Sequence, residues 1–198
     1  MFQTLLPLWL AALPLMGSPG PATLSSAAIG TAFGMRAGLP YVAGICFGTA
    51  TVLLLTATGI SGLIIVIPGA VPVVTVLAAA YILYLAWRIA TAPIGTHTRD
   101  PGARPAGVVG GYLLAIANPK AFAAIGAVYS THSVIPGDPM LDAAAKVAAL
   151  IPVIVVVNLT WLAFGSLFSR WLSHPTLGRV VNIAFAVLLV ASVAAALR

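Results

Sequence analysis

Apolar positions run through this chain in long blocks, and polar positions gather in a few short gaps between them. Six blocks can be drawn, at roughly 4–34, 38–66, 69–90, 107–130, 142–169 and 177–197. Each reaches the length of about 20 residues that a helix needs to cross a bilayer. Ile67-Pro68-Gly69 and Ser173-His174-Pro175 read as short turns between blocks, and STHSVIPGDPM as a longer polar loop. The clearest gap is TAPIGTHTRDPGARPAG at 91–107, with three prolines, two arginines and no apolar period. It divides a single transmembrane domain, 1–198, into repeat one (1–90), a linker (91–107) and repeat two (108–198). With three blocks on each side, the halves insert in opposite senses. The expected fold is an all-α integral membrane protein: six transmembrane helices forming two inverted three-helix repeats.

Composition agrees with that pattern. The chain is 61% hydrophobic and 6% charged, against about 25% charged residues in soluble domains. The net charge of +6 comes from scattered residues without clusters or interleaved aromatics, so it is no nucleic-acid footprint. Arg36, Arg88, Arg99, Arg104, Arg170 and Arg179 lie in the gaps or at the block ends beside them on one side, while Lys146 and Arg198 are left for the other. The positive-inside rule puts the arginine-rich side in the cytoplasm and both termini outside. The opening MFQTLLPLWLAALPLMGSPGP lacks a basic start and an A-x-A cleavage site, and so reads as a retained first span rather than a signal peptide. A single cysteine, Cys46, leaves no intrachain disulfide and no cysteine metal site.

Two blocks are broken in the middle. Gly17-Ser18-Pro19-Gly20-Pro21 interrupts the first. Pro19 and Pro21 remove amide protons and clash with the preceding turn, and a new helix can begin at Pro21, because proline suits the first helical position. Asn118-Pro119-Lys120 interrupts the fourth in the same way, with Asn118 as N-cap and Pro119 as first helical residue. Prolines in membrane helices commonly do no more than kink them. Here two breaks lie at matching positions of the two halves, which is the best sequence pointer to a transporter's binding site. The new N-termini carry unpaired amides and positive dipole ends that attract anions. Lys120, about 20 Å of helix from the start of its block, is badly placed to snorkel, and an ionisable residue at that depth is functional by default. The candidate substrate-binding residues are Pro19, Gly20, Pro21, Asn118, Pro119, Lys120 and Asn158, the last near the middle of the fifth block. Lys120 is also a candidate carrier of a coupling proton.

Other patterns have plainer readings. Gly30, Gly34, Gly38, Gly44 and Gly48 repeat the small-xxx-small spacing that lets helix backbones approach. Tyr81, Tyr84 and Trp87 suit an interfacial belt or the core. Thr49, Thr51, Thr56 and Thr58 share no single face, and their hydroxyls are expected to bond back to their own helix.

The broken helices bring a family into view. SPGP at 18–21, the glycines from Gly30 to Gly48, AAYILYLAWR at 79–88 and ANPKA at 117–121 resemble, in order and over nearly the whole chain, the lysine exporter (LysE/RhtB) family of small amino-acid efflux permeases. The resemblance implies secondary active export of amino acids or related metabolites from the cytoplasm across the bacterial inner membrane, driven by an ion gradient, usually of protons. The chain departs from the family at Ala78 and Ala86, where Gly is common. It departs again at Asn158, three residues before Trp161, where many members carry an acid. Asp100, Asp138 and Asp142 all lie in loops or at block edges, so no buried carboxylate is on offer to a cationic side chain.

Two other classes compete. An intramembrane serine protease needs a Ser–His pair in a span, and His97, His132 and His174 fall in loops. A metal-dependent enzyme needs clustered carboxylates or histidines. No cofactor and no metal are expected. A channel needs a polar stripe or charged ring, and a non-transporting membrane subunit would have no use for paired breaks. The expected partners are a small-molecule substrate and the lipid bilayer, with no nucleic acid; a homodimer is the assembly considered.

Overall fold

The computed structural model describes residues 2–59, 70–91, 105–171 and 175–196. Seven helices are described: α1 (Phe2–Gly17), α2 (Pro21–Ala57), α3 (Ala70–Ala90), α4 (Val108–Ile116), α5 (Pro119–Thr131), α6 (Pro139–Trp171) and α7 (Pro175–Ala196). No strand occurs among the described residues. By length and composition α2 and α6 can each cross a membrane, and α4 with α5 passes the same test as one span bent by 62°. The stretch 60–66, the turn at Ile67-Pro68-Gly69, most of the linker with His97, Arg99, Asp100 and Arg104, as well as His174 and Arg198, lie outside the described residues.

The loop expected at 35–37 is not a loop. Helical structure is continuous from Pro21 to Ala57, except that Gly34 has φ 80° and ψ 172°, a region that residues with a Cβ avoid. The chain folds back at that one residue. Ser25 and Tyr41 prove the reversal: Tyr41 Oη donates to Ser25 Oγ at 3.0 Å, whereas sixteen residues of straight helix would separate them by about 24 Å. α2 is therefore a hairpin of two arms, 21–33 and 35–57. The Met35 amide, which the fold deprives of a helical partner, donates to Ser166 Oγ at 3.1 Å.

Glycines set the spacing of the arms against their neighbours. A Cβ on Gly30 would stand 2.3 Å from the Leu162 carbonyl oxygen of α6, and one on Gly165 1.9 Å from the Ala27 carbonyl oxygen. The second arm meets α4 the same way: a Cβ on Gly44 would lie 2.0 Å from the Val108 oxygen, and one on Gly111 2.0 Å from the Tyr41 oxygen. Backbone thus touches backbone at both crossings, as the glycine spacing anticipates, while Gly34 serves the turn instead. α3 packs on α7, where Arg179 Nη1 donates to the Ala90 carbonyl at 2.6 Å, a cation on the negative end of α3. Tyr81 Oη ties α3 to α4 through the Gly110 carbonyl at 2.5 Å, so this aromatic braces helices, while Tyr84 and Trp87 are exposed.

Two apolar clusters result. One gathers Tyr41, Ile45, Leu114 and Leu162 with Leu85 of α3 and Leu189 of α7. The other joins Leu8 of α1, Leu53 of α2, Ile125 of α5 and Ile154 of α6. Large apolar side chains such as Leu10, Phe47 and Val109 point outward, as they would toward lipid. The turn between α5 and α6 is held by Asp142, which accepts from Ser133 Oγ, Val134 N and Ile135 N at 3.1, 2.5 and 2.8 Å. Asp142 also pairs with Lys146 at 2.8 Å, and Lys146 donates to the Tyr129 carbonyl at 2.9 Å.

Candidate functional site

Both helix breaks are present, and they touch. α1 ends at Gly17 and α2 starts at Pro21 behind an extended Gly20 (φ −176°, ψ −179°); α5 starts at Pro119 behind an extended Asn118 (φ −87°, ψ 104°). Lys120 Nζ donates to the Ser18 carbonyl oxygen across the gap. That carbonyl belongs to the unwound end of α1, where the helix dipole is negative, so the ammonium lies at one helix's negative end and in the first turn of another helix. Space at Gly20 permits this: a Cβ there would fall 2.5 Å from Lys120 Cδ.

A cavity of about 40 Å³ opens at the junction, lined among others by Gly20, Thr23, Thr49, Asn118, Lys120 and Asn158. Space of this size accommodates a few waters. Ile125, Ile154 and Val157 give it apolar walls continuous with the second cluster. Of the seven residues expected from sequence, Gly20, Asn118, Lys120 and Asn158 line this cavity, while Pro19, Pro21 and Pro119 do not. The prolines act on the backbone: Pro19 is exposed and Pro21 and Pro119 occupy first helical positions.

The two N-termini are not equivalent. Asn118 caps α5, its Oδ1 accepting from the Lys120 amide at 3.1 Å, and its carbonyl accepts from Ala121 N at 3.0 Å. Amides expected to face a ligand after Pro119 are therefore already engaged. At α2 the Gly20 amide donates to Thr23 Oγ1 at 2.9 Å and Leu24 N donates to the Gly20 carbonyl at 2.8 Å. The amides of Ala22 and Thr23, two residues lining the cavity, have no hydrogen-bond partner among the described residues. They and the Lys120 ammonium form a donor-rich, positive edge.

The opposite edge differs. Asn158 is 5% exposed; its Nδ2 donates to the Ile154 carbonyl at 2.8 Å, and its Oδ1 is buried with no partner. Thr51, Thr56 and Thr58 bond back to Phe47, Val52 and Leu54 as expected. Thr49 does not: it is 6% exposed, lines the cavity, and its hydroxyl makes no hydrogen bond among the described residues. Thr23 escaped the sequence reading, although a hydroxyl three residues after an N-cap is a capping signal. Trp161 fixes the break from the α6 side, its Nε1 donating to the Gly17 carbonyl at 3.0 Å. Among the described residues no carboxylate or histidine lines the cavity.

Long apolar helices, one span bent at a break, and a cavity where two helix breaks meet are the marks of a membrane transporter. The family model described as LysE type translocator matches residues 13–197, and the chain belongs to that family. Similar curated proteins are the cysteine/O-acetylserine efflux protein of Escherichia coli (strain K12), 34% identical over 177 residues, and that of Salmonella typhimurium (strain LT2), 32% identical over 174 residues. Each alignment covers 87% of this chain and 87% of the relative. No solved structure matches the chain.

Proposed function

We propose that the protein is a secondary exporter of small amino acids or related metabolites, carrying them outward from the cytoplasm across a bacterial inner membrane. Its relatives bear the name cysteine/O-acetylserine efflux protein. The observation that carries the reading to this chain is the cavity at the two breaks, where the Lys120 ammonium and the unpaired Ala22 and Thr23 amides form a ready cradle for a carboxylate. Gly20, Asn118, Lys120 and Asn158 would contact substrate; Pro19, Pro21 and Pro119 would keep the helices broken.

The same reading takes the chain as six spans in two inverted repeats, 1–90 and 108–198 around the 91–107 linker, with both termini outside. Similar elements in the two halves support it. The first arm of α2, residues 21–33, and α5, Pro119–Thr131, are both thirteen residues long, and both begin with proline behind an extended cap. Rocking of one repeat against the other would expose the site to each side in turn. An inward proton gradient is the coupling that the reading favours.

Counterflow in proteoliposomes tests this. Vesicles preloaded with unlabelled O-acetyl-L-serine or L-cysteine should accumulate the labelled compound transiently and saturably. Unsaturable flux with single-channel currents would replace the carrier by a pore.

A further inference from the structure

Five polar groups around the cavity are left without a full set of partners, and they are sorted by sign. Lys120 Nζ, Ala22 N and Thr23 N are donors on the side of the breaks. Asn158 Oδ1 is an acceptor only, and the Thr49 hydroxyl can accept. A buried carbonyl oxygen with no partner costs free energy comparable to a lost hydrogen bond; among the described residues Asn158 Oδ1 and Asn182 Oδ1 are left so, and of the two only Asn158 lines the cavity. Its own Nδ2 is bound to Ile154, so Oδ1 is the end of the amide left to accept.

We infer that Asn158 Oδ1, with the Thr49 hydroxyl, receives the α-ammonium of the substrate, so that the site selects compounds carrying both an amine and a carboxylate and an uncharged side chain. The inference rests on the exporter reading and names its substrate class. The carboxylate lies toward Lys120 and the α2 amides, and the ammonium toward α6 and the second arm of α2. This orientation satisfies the orphan acceptor and the orphan donors together. It also sets the net charge. The substrate carboxylate balances Lys120 and the α-ammonium takes the two free acceptors, so, with no carboxylate among the described lining residues, a further cation on the substrate side chain would be desolvated with neither an anion nor a free acceptor, which is strongly unfavourable. Amino acids with small neutral side chains fit this charge balance; lysine-like ones do not.

The test compares two probes that differ only in the amine: O-acetyl-L-serine and 3-acetoxypropanoate. Purified full-length protein should bind the first at least about tenfold more tightly than the second, the difference expected of a hydrogen bond to a charged group. Asn158→Leu should remove that preference by weakening O-acetyl-L-serine and leaving 3-acetoxypropanoate unchanged. Thr49→Val should weaken O-acetyl-L-serine selectively as well, and Thr49→Ser should restore it, which keeps the inference testable if the Leu variant does not fold. In counterflow by the wild-type protein, L-serine and L-cysteine should compete and L-lysine should not. Equal binding of the two probes, or variants that weaken both alike, would overturn the assignment of the ammonium while leaving export intact. Competition by L-lysine as strong as by L-cysteine would overturn the charge argument. Absence of counterflow with every amino acid would overturn the exporter reading, and this inference with it.

Discussion

Lys120 Nζ and the Ser18 carbonyl, 102 positions apart in the chain, are joined by a hydrogen bond that stitches one helix break to the other. Two interruptions that could have been independent kinks thereby become one structure. The bond needs an empty place at Gly20, whose backbone angles are ordinary for any residue but whose Cβ position is taken by the Lys120 side chain. Conformational freedom is not what Gly20 supplies; space is.

That distinction gives the first prediction. Gly20→Ala should displace the flexible end of Lys120, at little cost in stability, and pull its ammonium from the Ser18 carbonyl. Gly165→Ala instead drives a Cβ to 1.9 Å from the Ala27 oxygen, a backbone atom, so α2 and α6 must separate, at about 1–3 kcal/mol or more. Thermal unfolding in detergent should show Gly20→Ala near wild type and Gly165→Ala clearly destabilised. Counterflow by Gly20→Ala should fall about tenfold or more, the scale of a hydrogen bond to a charged group. An active Gly20→Ala would mean that the bond between Lys120 and the Ser18 carbonyl is not needed for transport.

The fold of α2 at Gly34 leads to the second. Alanine there must adopt φ 80° and ψ 172°, at about 1–3 kcal/mol, or straighten the helix and lose the Tyr41–Ser25 hydrogen bond. Gly34→Ala should lower the unfolding temperature, whereas Gly126→Ala, at a position with nothing within 4 Å of the added Cβ, should raise it slightly or leave it unchanged, since alanine is the better helix former. An unaffected Gly34→Ala would show that the hairpin does not depend on this residue.

Local chemistry made much of this legible in the sequence. Proline and glycine mark the breaks because their effects are confined to their own backbone, and Asn118 was readable as a cap because capping spans only a few residues. Both ends of α3 and α7, and the C-terminal end of α5, fall within two residues of the ends of the apolar blocks for the same reason. The sequence did not separate Gly34 from Gly30 and Gly38, because all three fit one spacing; only the fold shows that one turns the chain and the others admit a neighbour. Nor did it separate Thr49 from Thr51, Thr56 and Thr58: whether a hydroxyl bonds back to its helix depends on what lies opposite. The partner of Lys120 was hidden too, since a main-chain carbonyl such as that of Ser18 has no signature in a sequence.

Orientation in the membrane is the third prediction. In a Cys46→Ser background, a cysteine at Gly102 in the linker should resist a membrane-impermeant thiol reagent applied to intact cells. A cysteine replacing Met140, 82% exposed at the start of α6, should react. The opposite pattern would invert the topology and turn the proposed exporter's arginine-rich loops outward.

The last concerns the charge on Lys120. Export against an inward proton gradient requires a group that is protonated on the empty return step and loses that proton as substrate binds. Lys120 was a candidate because it is the ionisable group at the break. Its surroundings argue for a different role. In the structure its ammonium donates to the Ser18 carbonyl, and in the proposed complex it faces a carboxylate. Both are acceptors suited to the charged side chain, so neither partner calls for release of the proton. Lys120 should therefore act as a fixed anchor. Arginine keeps its charge at any working pH, which makes Lys120→Arg the deciding variant, with Lys120→Met as the neutral control. In inside-out vesicles Lys120→Met should lose binding of O-acetyl-L-serine. Lys120→Arg should bind it more weakly than wild type, because the guanidinium is larger, yet its uptake should still rise when a pH gradient is imposed. If Lys120→Arg binds substrate but no longer responds to the gradient, the lysine carries the coupling proton and the anchor role is wrong.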